Sequence, residues 1–495
     1  MKRSDGNRRK YAVCDLFSGF TRREFLACAG VWLATWRNTE LMGKSKPNRH
    51  ASRPNILFVI ADDWSWPHAG AYGDTTVKTP AFDSIAREGI LFTHAFTAAP
   101  TCTASRSAIL TGQAPHRLEE GANLWSVLPA KFPVYPEVLE QAGYAVGKTG
   151  KGWGPGDEKG GGRTRNPAGP AYPSFSEFLK TVPDNKPFCF WFGSRHPHRA
   201  YKQGIGVNSG LRIEDVKVPP FLPDAPEVRS DICDYYWHVQ QFDAELETLI
   251  ETLEKSGRQN DTLVIVTSDN GMPFPYAKCN LYDAGTRMPL AIRWPGVVQP
   301  GVRCDELVSL TDIAPTILEA AGIRPPAQMT GVSLMDILTG APRIERSAVF
   351  TERERHTIGR TGMRSYPMRA IRTRDFLYIR NLRPNLWPMG DPHTTVLDRI
   401  FADIDASPTK TYIFRNRRDP LVAPFFERCF LKRPEEELYD LRKDPWQLEN
   451  VAAQPNYSAV KKELRNRLDD WMRRTGDPRA NGETDFWDKC PYVTG

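Results

Sequence analysis

Three short clusters carry residue types suited to chemistry on a charged oxyanion. Asp62-Asp63 and Asp269-Asn270-Gly271 each follow an apolar run, 55–60 and 262–267 respectively. Three carboxylates and an amide carbonyl are hard oxygen donors, matched to Ca²⁺ or Mg²⁺ rather than to thiophilic metals. No histidine stands among them, which argues against a zinc pair. Either cluster alone is also an ordinary turn sequence. The third cluster, Thr101-Cys102-Thr103-Ala104-Ser105-Arg106, leads into a helical run at 107–112. Cys102 and Arg106 are four apart, so on a helix they share one face near its N-terminus. A helix start favours anions, and an arginine offers a fork to a tetrahedral oxyanion. Read alone, the pair fits a buried cysteine beside a surface arginine equally well.

Such clusters need a scaffold. The continuous apolar runs at 55–60, 188–192 and 262–267 read as strands buried on both faces. Thr79-Pro80 opens a short helix, with Thr as N-cap and Pro at the first helical position, closing near Gly89. A long helix over 231–256 precedes the third strand, giving strand–helix–strand alternation. In an open α/β sheet, ligands gather at the carboxyl ends of strands, where both acidic clusters stand. The glycine-rich stretch 150–162 reads as a mobile surface loop. Beyond 361 the texture changes to a strand-like alternation over 368–380, Pro/Arg-rich loops and a charged helix over 458–474. We expect an α/β catalytic domain over 54–362 and a smaller C-terminal α+β domain over 363–495.

The 495 residues, 40% hydrophobic and 25% charged, exclude a disordered or collagenous chain. The net charge of +7 comes from the first 53 residues, which hold 12 basic and 4 acidic side chains; the remainder holds 54 and 55. A near-neutral body lacks the basic footprint of a nucleic-acid binder. Residues 1–53 read as an export leader and linker: a basic stretch, then Thr21-Arg22-Arg23-Glu24-Phe25-Leu26, then a short apolar run to Trp36. That run is well short of the ~20 residues needed to span a bilayer, so no integral membrane span is expected. The arginine pair resembles a twin-arginine signal, implying a periplasmic or extracellular location. Beyond the leader, Cys189, Cys233, Cys279, Cys304, Cys429 and Cys490 are enough for disulfide pairing in an oxidising compartment.

In order and spacing, the motifs resemble the formylglycine-dependent sulfatases of the alkaline-phosphatase-like superfamily. The resemblance rests on Pro54-Asn55-Ile56-Leu57…Asp62-Asp63, Cys102-x-Ala104-x-Arg106, Gly143-Tyr144…Gly150-Lys151, His198 after Pro197, Asp269-Asn270-Gly271 and Glu437-Leu438-Tyr439-Asp440-Leu441…Asp444-Pro445. It implies an α/β fold with a large mixed sheet flanked by helices. It also implies that a formylglycine-generating or maturase enzyme oxidises Cys102 to formylglycine, whose hydrate attacks sulfur beside one Ca²⁺. Asp62, Asp63, Asp269 and Asn270, with the modified Cys102, match the family's metal ligands. Arg106 matches the arginine that holds the nucleophile, Lys151 and Lys278 the lysines that contact sulfate, and His198 the acid that protonates the leaving group. Two positions depart from the pattern. Ala104 stands where proline is commoner, and Trp153 replaces a histidine two residues after Lys151 that normally assists the diol. That leaves the base for sulfate release unassigned, with His196 or a repositioned group as substitutes.

Within the family, Met272-Pro273-Phe274-Pro275…Asn280-Leu281-Tyr282, His198-Arg199 and Ser365-Tyr366-Pro367-Met368-Arg369 resemble the sulfamidase branch, the N-sulfoglucosamine sulfohydrolases. In that branch an arginine takes the place of Lys278. The resemblance implies a sulfated saccharide substrate, cleaved at an O-sulfate or N-sulfate of a glucosamine-containing glycan. Arg353, Glu354, Arg355, His356 and Arg360 form a polar cluster that could read sugar hydroxyls, carboxylates or further sulfates, or could be a solvated loop. Two other readings remain open: phosphate or phosphonate ester hydrolysis on the same fold, and a non-catalytic sulfated-glycan binder with Cys102 left as thiol.

Overall fold

The computed structural model describes residues 53–393, 400–482 and 484–493, so the expected leader lies, apart from Arg53, outside the described residues. Its centre is a mixed sheet built around β1 (Asn55–Ala61). The other strands are β2 (Ile90–Phe96), β3 (Ala145–Gly150), β4 (Phe188–Gly193), β5 (Thr262–Ser268), β6 (Arg287–Arg293), β7 (Val302–Cys304) and β8 (Val308–Ser309). The order is β3-β4-β1-β5-β6-β2-β7, with β8 also on β2. β3, β4, β1 and β5 run parallel, and β6 is antiparallel to both β5 and β2.

The three apolar runs are thus adjacent central strands, and their lack of alternation has the expected cause. Leu57 and Val59 of β1 face one hydrophobic layer, while Ile56, Phe58 and Ile60 face the other. The first layer is closed by α1 (Pro80–Glu88) and by the long α3 (Pro226–Lys255), through Phe82, Val239, Leu246 and Leu253. The second is closed by α2 (Cys102–Thr111), through Ile109 and Leu110. Each such side chain taken out of water contributes about 1.5–3 kcal/mol. Thr79 precedes α1 as expected, but its hydroxyl does not cap the helix: it accepts from Gly70 N–H and donates to Asp83.

A second sheet, β12-β11-β10-β9, is antiparallel throughout. Its strands are β9 (Val349–Arg353), β10 (Met368–Arg372), β11 (Phe376–Asn381) and β12 (Glu436–Asp440). The alternation over 368–380 is therefore a hairpin, β10–β11. The sheet begins at Val349, ahead of the boundary expected after 362, because β9 pairs along the whole of β10. The C-terminal helix α4 (Ser458–Thr475) seats Leu464, Leu468 and Met472 against Ile371, Tyr378 and Leu438 of this sheet.

The structure answers the open question of the cysteines and corrects one expectation about the glycine-rich stretch. All seven described cysteines, Cys102 included, are reduced and buried, so no disulfide forms among them. The start of the 150–162 stretch is structural rather than mobile surface. Gly152 and Trp153 are buried, and Asn166 accepts from Trp153 N–H while donating to its carbonyl. Among the described residues, no helix is long and apolar enough to cross a membrane.

Candidate active site

Asp62 and Asp63 leave the carboxyl end of β1, and Asp269 and Asn270 leave that of the neighbouring β5. Register alone brings the two clusters side by side. Asp63 adopts φ 77°, a left-handed conformation that costs a non-glycine residue about 1–3 kcal/mol and persists only where its surroundings over-determine it. Here they do. Its backbone N–H donates to Asp269 Oδ1 at 3.1 Å, and its carboxylate accepts from Asn270 Nδ2 at 2.6 Å and Lys278 Nζ at 2.8 Å.

Helix α2 enters from the other side, all ten of its residues buried. Arg106 is wholly enclosed and anchors the centre. Its Nε donates to Asp269 Oδ2 at 2.8 Å, its Nη1 to the carbonyls of Lys151 and Gly152 at 2.9 Å, and its Nη2 lies 3.8 Å from Asp62. One turn earlier, Cys102 Sγ is 3.5 Å from Asp62 Oδ1. The expected shared face of Cys102 and Arg106 is thus aimed at the carboxylates, although Arg106 is no surface side chain. Oxygens of Asp62, Asp63 and Asp269 and the Cys102 sulfur lie within 4.8 Å of one another.

Three cations and an imidazole surround this cluster. Lys151, just past β3, binds both oxygens of Asp62 at 2.7 Å. Lys278 bridges Asp63 at 2.8 Å and Asp405 at 3.3 Å. His198 Nε2 lies 3.9 Å from Asp63, with over a third of the side chain exposed. Its Nδ1 contacts the Arg199 carbonyl, which can only accept, so Nδ1 carries a proton and Nε2 has one to give only in the imidazolium form. Burial would raise the Asp62 carboxyl, but Lys151, His198, Arg106 and Lys278 outweigh it and hold it well below the usual carboxylate range. Burial would likewise lower Lys278, yet Asp405 and Asp63 keep it fully charged. Cys102 moves the other way: burial, aided by Asp62 and Asp269, pushes its thiol far up, so the unmodified side chain offers no thiolate.

The residues expected to read substrate fare differently. Arg353 and Arg360 both pair with Asp403 and donate to the Pro388 carbonyl; Arg353 also donates to Cys279 O and Arg360 to Trp387 O. Glu354 is sandwiched between Arg369 and Arg479. All three are buried and committed to structural pairs, so they do not face substrate. His356 is also buried, but its Nδ1 meets the Thr101 hydroxyl at 2.7 Å, directly before Cys102. The His196 ring pairs with His238, Nδ1 to Nδ1 at 2.8 Å, while its backbone carbonyl accepts from Asp62 N–H. Trp153 is 1% exposed and donates from Nε1 to Ser107 Oγ on α2 at 2.8 Å; no base stands at that position.

Asp405 escaped the sequence reading. It lies between β11 and the helix Pro408–Arg415, far along the chain from every motif, and only tertiary packing brings it to Lys278.

With this arrangement in view, the comparisons with known proteins are decisive. The family model described as Sulfatase matches residues 54–323. The chain belongs to the sulfatase family. It is a sulfuric ester hydrolase of the alkaline-phosphatase-like fold. A second model, N-sulphoglucosamine sulphohydrolase, C-terminal, matches residues 274–399. This sulfatase is 30% identical over 484 residues to the N-sulphoglucosamine sulphohydrolase of Homo sapiens, covering 86% of this chain and 91% of that protein. It is 29% identical over 471 residues to an ulvan-active sulfatase of Formosa agariphila, covering 91% and 86%. Among solved structures, it shares its fold with a protein in complex with its substrate D-glucosamine-2-N,6-O-disulfate, at a TM-score of 0.62 and 20% identity over 88% of this chain and 100% of that one.

Proposed function

We propose that this sulfatase is an exported enzyme that removes a sulfate ester or N-sulfate from a glucosamine-containing glycan, with an N-sulfoglucosamine end as its preferred substrate. The observation that carries the reading is the convergence of Asp62, Asp63, Asp269 and Cys102 beneath a ring of Arg106, Lys151, Lys278 and His198. The glycan is supported by the relatives, whose names specify N-sulphoglucosamine and ulvan.

The donor set fits a divalent cation. Asn270 Oδ1 is buried with no hydrogen-bond partner among the described residues, an arrangement that costs about 1–3 kcal/mol unless a ligand meets it. Asp62, Asp63, Asp269 and Asn270 would hold one Ca²⁺, which supplies Lewis acidity toward a sulfate oxygen. Cys102, after conversion by a formylglycine-generating or maturase enzyme, would supply a hydrated aldehyde as the oxygen nucleophile. The protein's other side chains act around that centre. Arg106 holds the nucleophile's position through Asp269 and the 151–152 carbonyls. Lys151 and Lys278 present ammonium groups to the sulfate. The His198 imidazolium gives its Nε2 proton to the departing atom.

Mass spectrometry of the peptide containing Cys102, from protein made with its maturation enzyme, should show a loss of about 18 Da relative to the thiol. Free sulfate should appear from N-sulfoglucosamine, and Cys102→Ala should abolish it while leaving the melting temperature near that of the unaltered protein. An unmodified thiol in fully active enzyme, or full activity in Cys102→Ala, would refute the mechanism. Sulfate release from a simple aryl sulfate but from no sulfated saccharide would refute the substrate.

A further inference from the structure

Asp405 is a carboxylate outside the set that would hold the cation, placed against one of the lysines that would attract the sulfate. Its Oδ2 lies 3.3 Å from Lys278 Nζ, and its side chain keeps 30% of its surface exposed. That oxygen is buried and has no hydrogen-bond partner among the described residues, the contact with Lys278 being an ion pair only. The pairing with Lys278 is shared, because the same ammonium binds Asp63 more closely, at 2.8 Å. His198 and Lys278 both reach Asp63, and Lys278 in turn reaches Asp405, so the proton donor, the sulfate-binding cation and a carboxylate oxygen without a hydrogen bond are linked in one cluster. A negative charge cannot favour the sulfonate itself. It suits the other side of the scissile bond, where the leaving atom gains protons.

We propose that Asp405 is the residue that distinguishes nitrogen from oxygen at the scissile bond, by accepting a hydrogen bond from the sulfamate N–H. This rests on the glycan-sulfatase reading above and deepens it. A sulfamate carries a hydrogen on the bridging atom, whereas a sulfate ester carries only lone pairs there. A carboxylate oxygen attracts the first and repels the second. A charge-assisted hydrogen bond of this kind is among the stronger ones, and a site built around it rejects the analogue lacking the donor. The same charge also suits the product. One water is consumed overall: the S–N bond breaks with its electron pair on nitrogen, which takes one proton from His198 and a second from solvent and leaves as ammonium, while sulfate departs as the dianion. An ammonium forming beside Asp405 is stabilised as its charge develops.

The contrast needs two substrates that differ only in the bridging atom, N-sulfoglucosamine and glucose 2-sulfate, and the mature full-length enzyme. The unaltered enzyme should favour the sulfamate by at least about tenfold in kcat/KM. In Asp405→Asn, which keeps the shape but not the charge, that ratio should fall about tenfold, with most of the change in kcat. Equal turnover of both substrates by the unaltered enzyme overturns the proposal without needing any variant to fold. A preserved ratio in a folded Asp405→Asn protein overturns it as well, while leaving the glycan-sulfatase reading intact. Failure of the unaltered enzyme to release sulfate from either sugar, with an aryl sulfate still turned over, defeats that reading and this one with it.

Discussion

At position 153 the indole N–H donates to Ser107 Oγ, and the ring belongs to the same hydrophobic layer as Val146, Ala168 and Trp191. An imidazole there would be both too small and too polar. Trp153→His would empty part of a packed layer and leave a ring nitrogen without water, a combination that destabilises by about 3 kcal/mol or more. We therefore expect this substitution to lower the melting temperature by several degrees and leave kcat no higher. A thermal melt and a sulfate-release assay decide it; a stable variant with raised kcat would show that the position faces the site after all. The carboxylate cluster and Cys102 were legible because each sits beside an apolar run or a helix start that the sequence displays. Asp405 was not: nothing in its neighbours announces a site, and it reaches Lys278 only through packing of the 400–407 segment. His356 stood in the polar cluster, but its partner, the Thr101 hydroxyl, comes only from packing. Arg353 and Arg360 show the opposite case, since a polar cluster that could read substrate or be a solvated loop is instead buried and neutralised by Asp403, a partner remote in sequence.

Strands β3 and β4 deliver Lys151 through an unusually close approach of backbones. Gly150 pairs with Gly193 at the end of the parallel ladder, and Lys151 N–H donates to the Gly193 carbonyl at 2.7 Å. A Cβ on Gly193 would lie 1.6 Å from the Lys151 carbonyl oxygen, which also accepts from Arg106 and Trp191. Gly193→Ala must therefore push the Lys151 backbone away and loosen Arg106 with it. Displacing such groups by about 1 Å lowers rate by about a hundredfold. We expect a fall of that order in kcat/KM, and a melting temperature that also drops; near-normal turnover would mean that Lys151 is not needed where the ladder puts it. The sequence reading missed β3, whose Ala-Val-Gly-Lys-Thr-Gly lacks the apolar density of its neighbours, and β6, where Pro289 interrupts the strand pattern. Both are held by neighbouring strands rather than by their own composition.

At the scale of the whole molecule, acid sensitivity follows from buried groups on both layers. Burial holds His94 and His238 at about 4 and His356 at about 3, against an ordinary 6.5. Below pH 6.5 the unfolded chain takes up protons that these rings refuse, so their contribution is present at neutral pH and is lost as pH falls through 6.5 toward 3. Burial raises Asp243 and Asp312 to about 6, which acts in the other direction. Between about pH 6 and 4 the folded state binds protons there more tightly than the unfolded chain, offsetting much of the histidine effect. Below pH 4 that offset ends, because both states are protonated at those aspartates. Asp477 and Glu436, pulled down to about 2 by Arg369 and Arg465 against the effect of burial, then add their own loss as the unfolded carboxylates protonate first. Urea midpoints should decline gently from pH 6.5 to 4 and steeply from 4 to 3. A midpoint that is level down to pH 3, or that falls fastest between 6.5 and 5, would contradict this balance of buried charge.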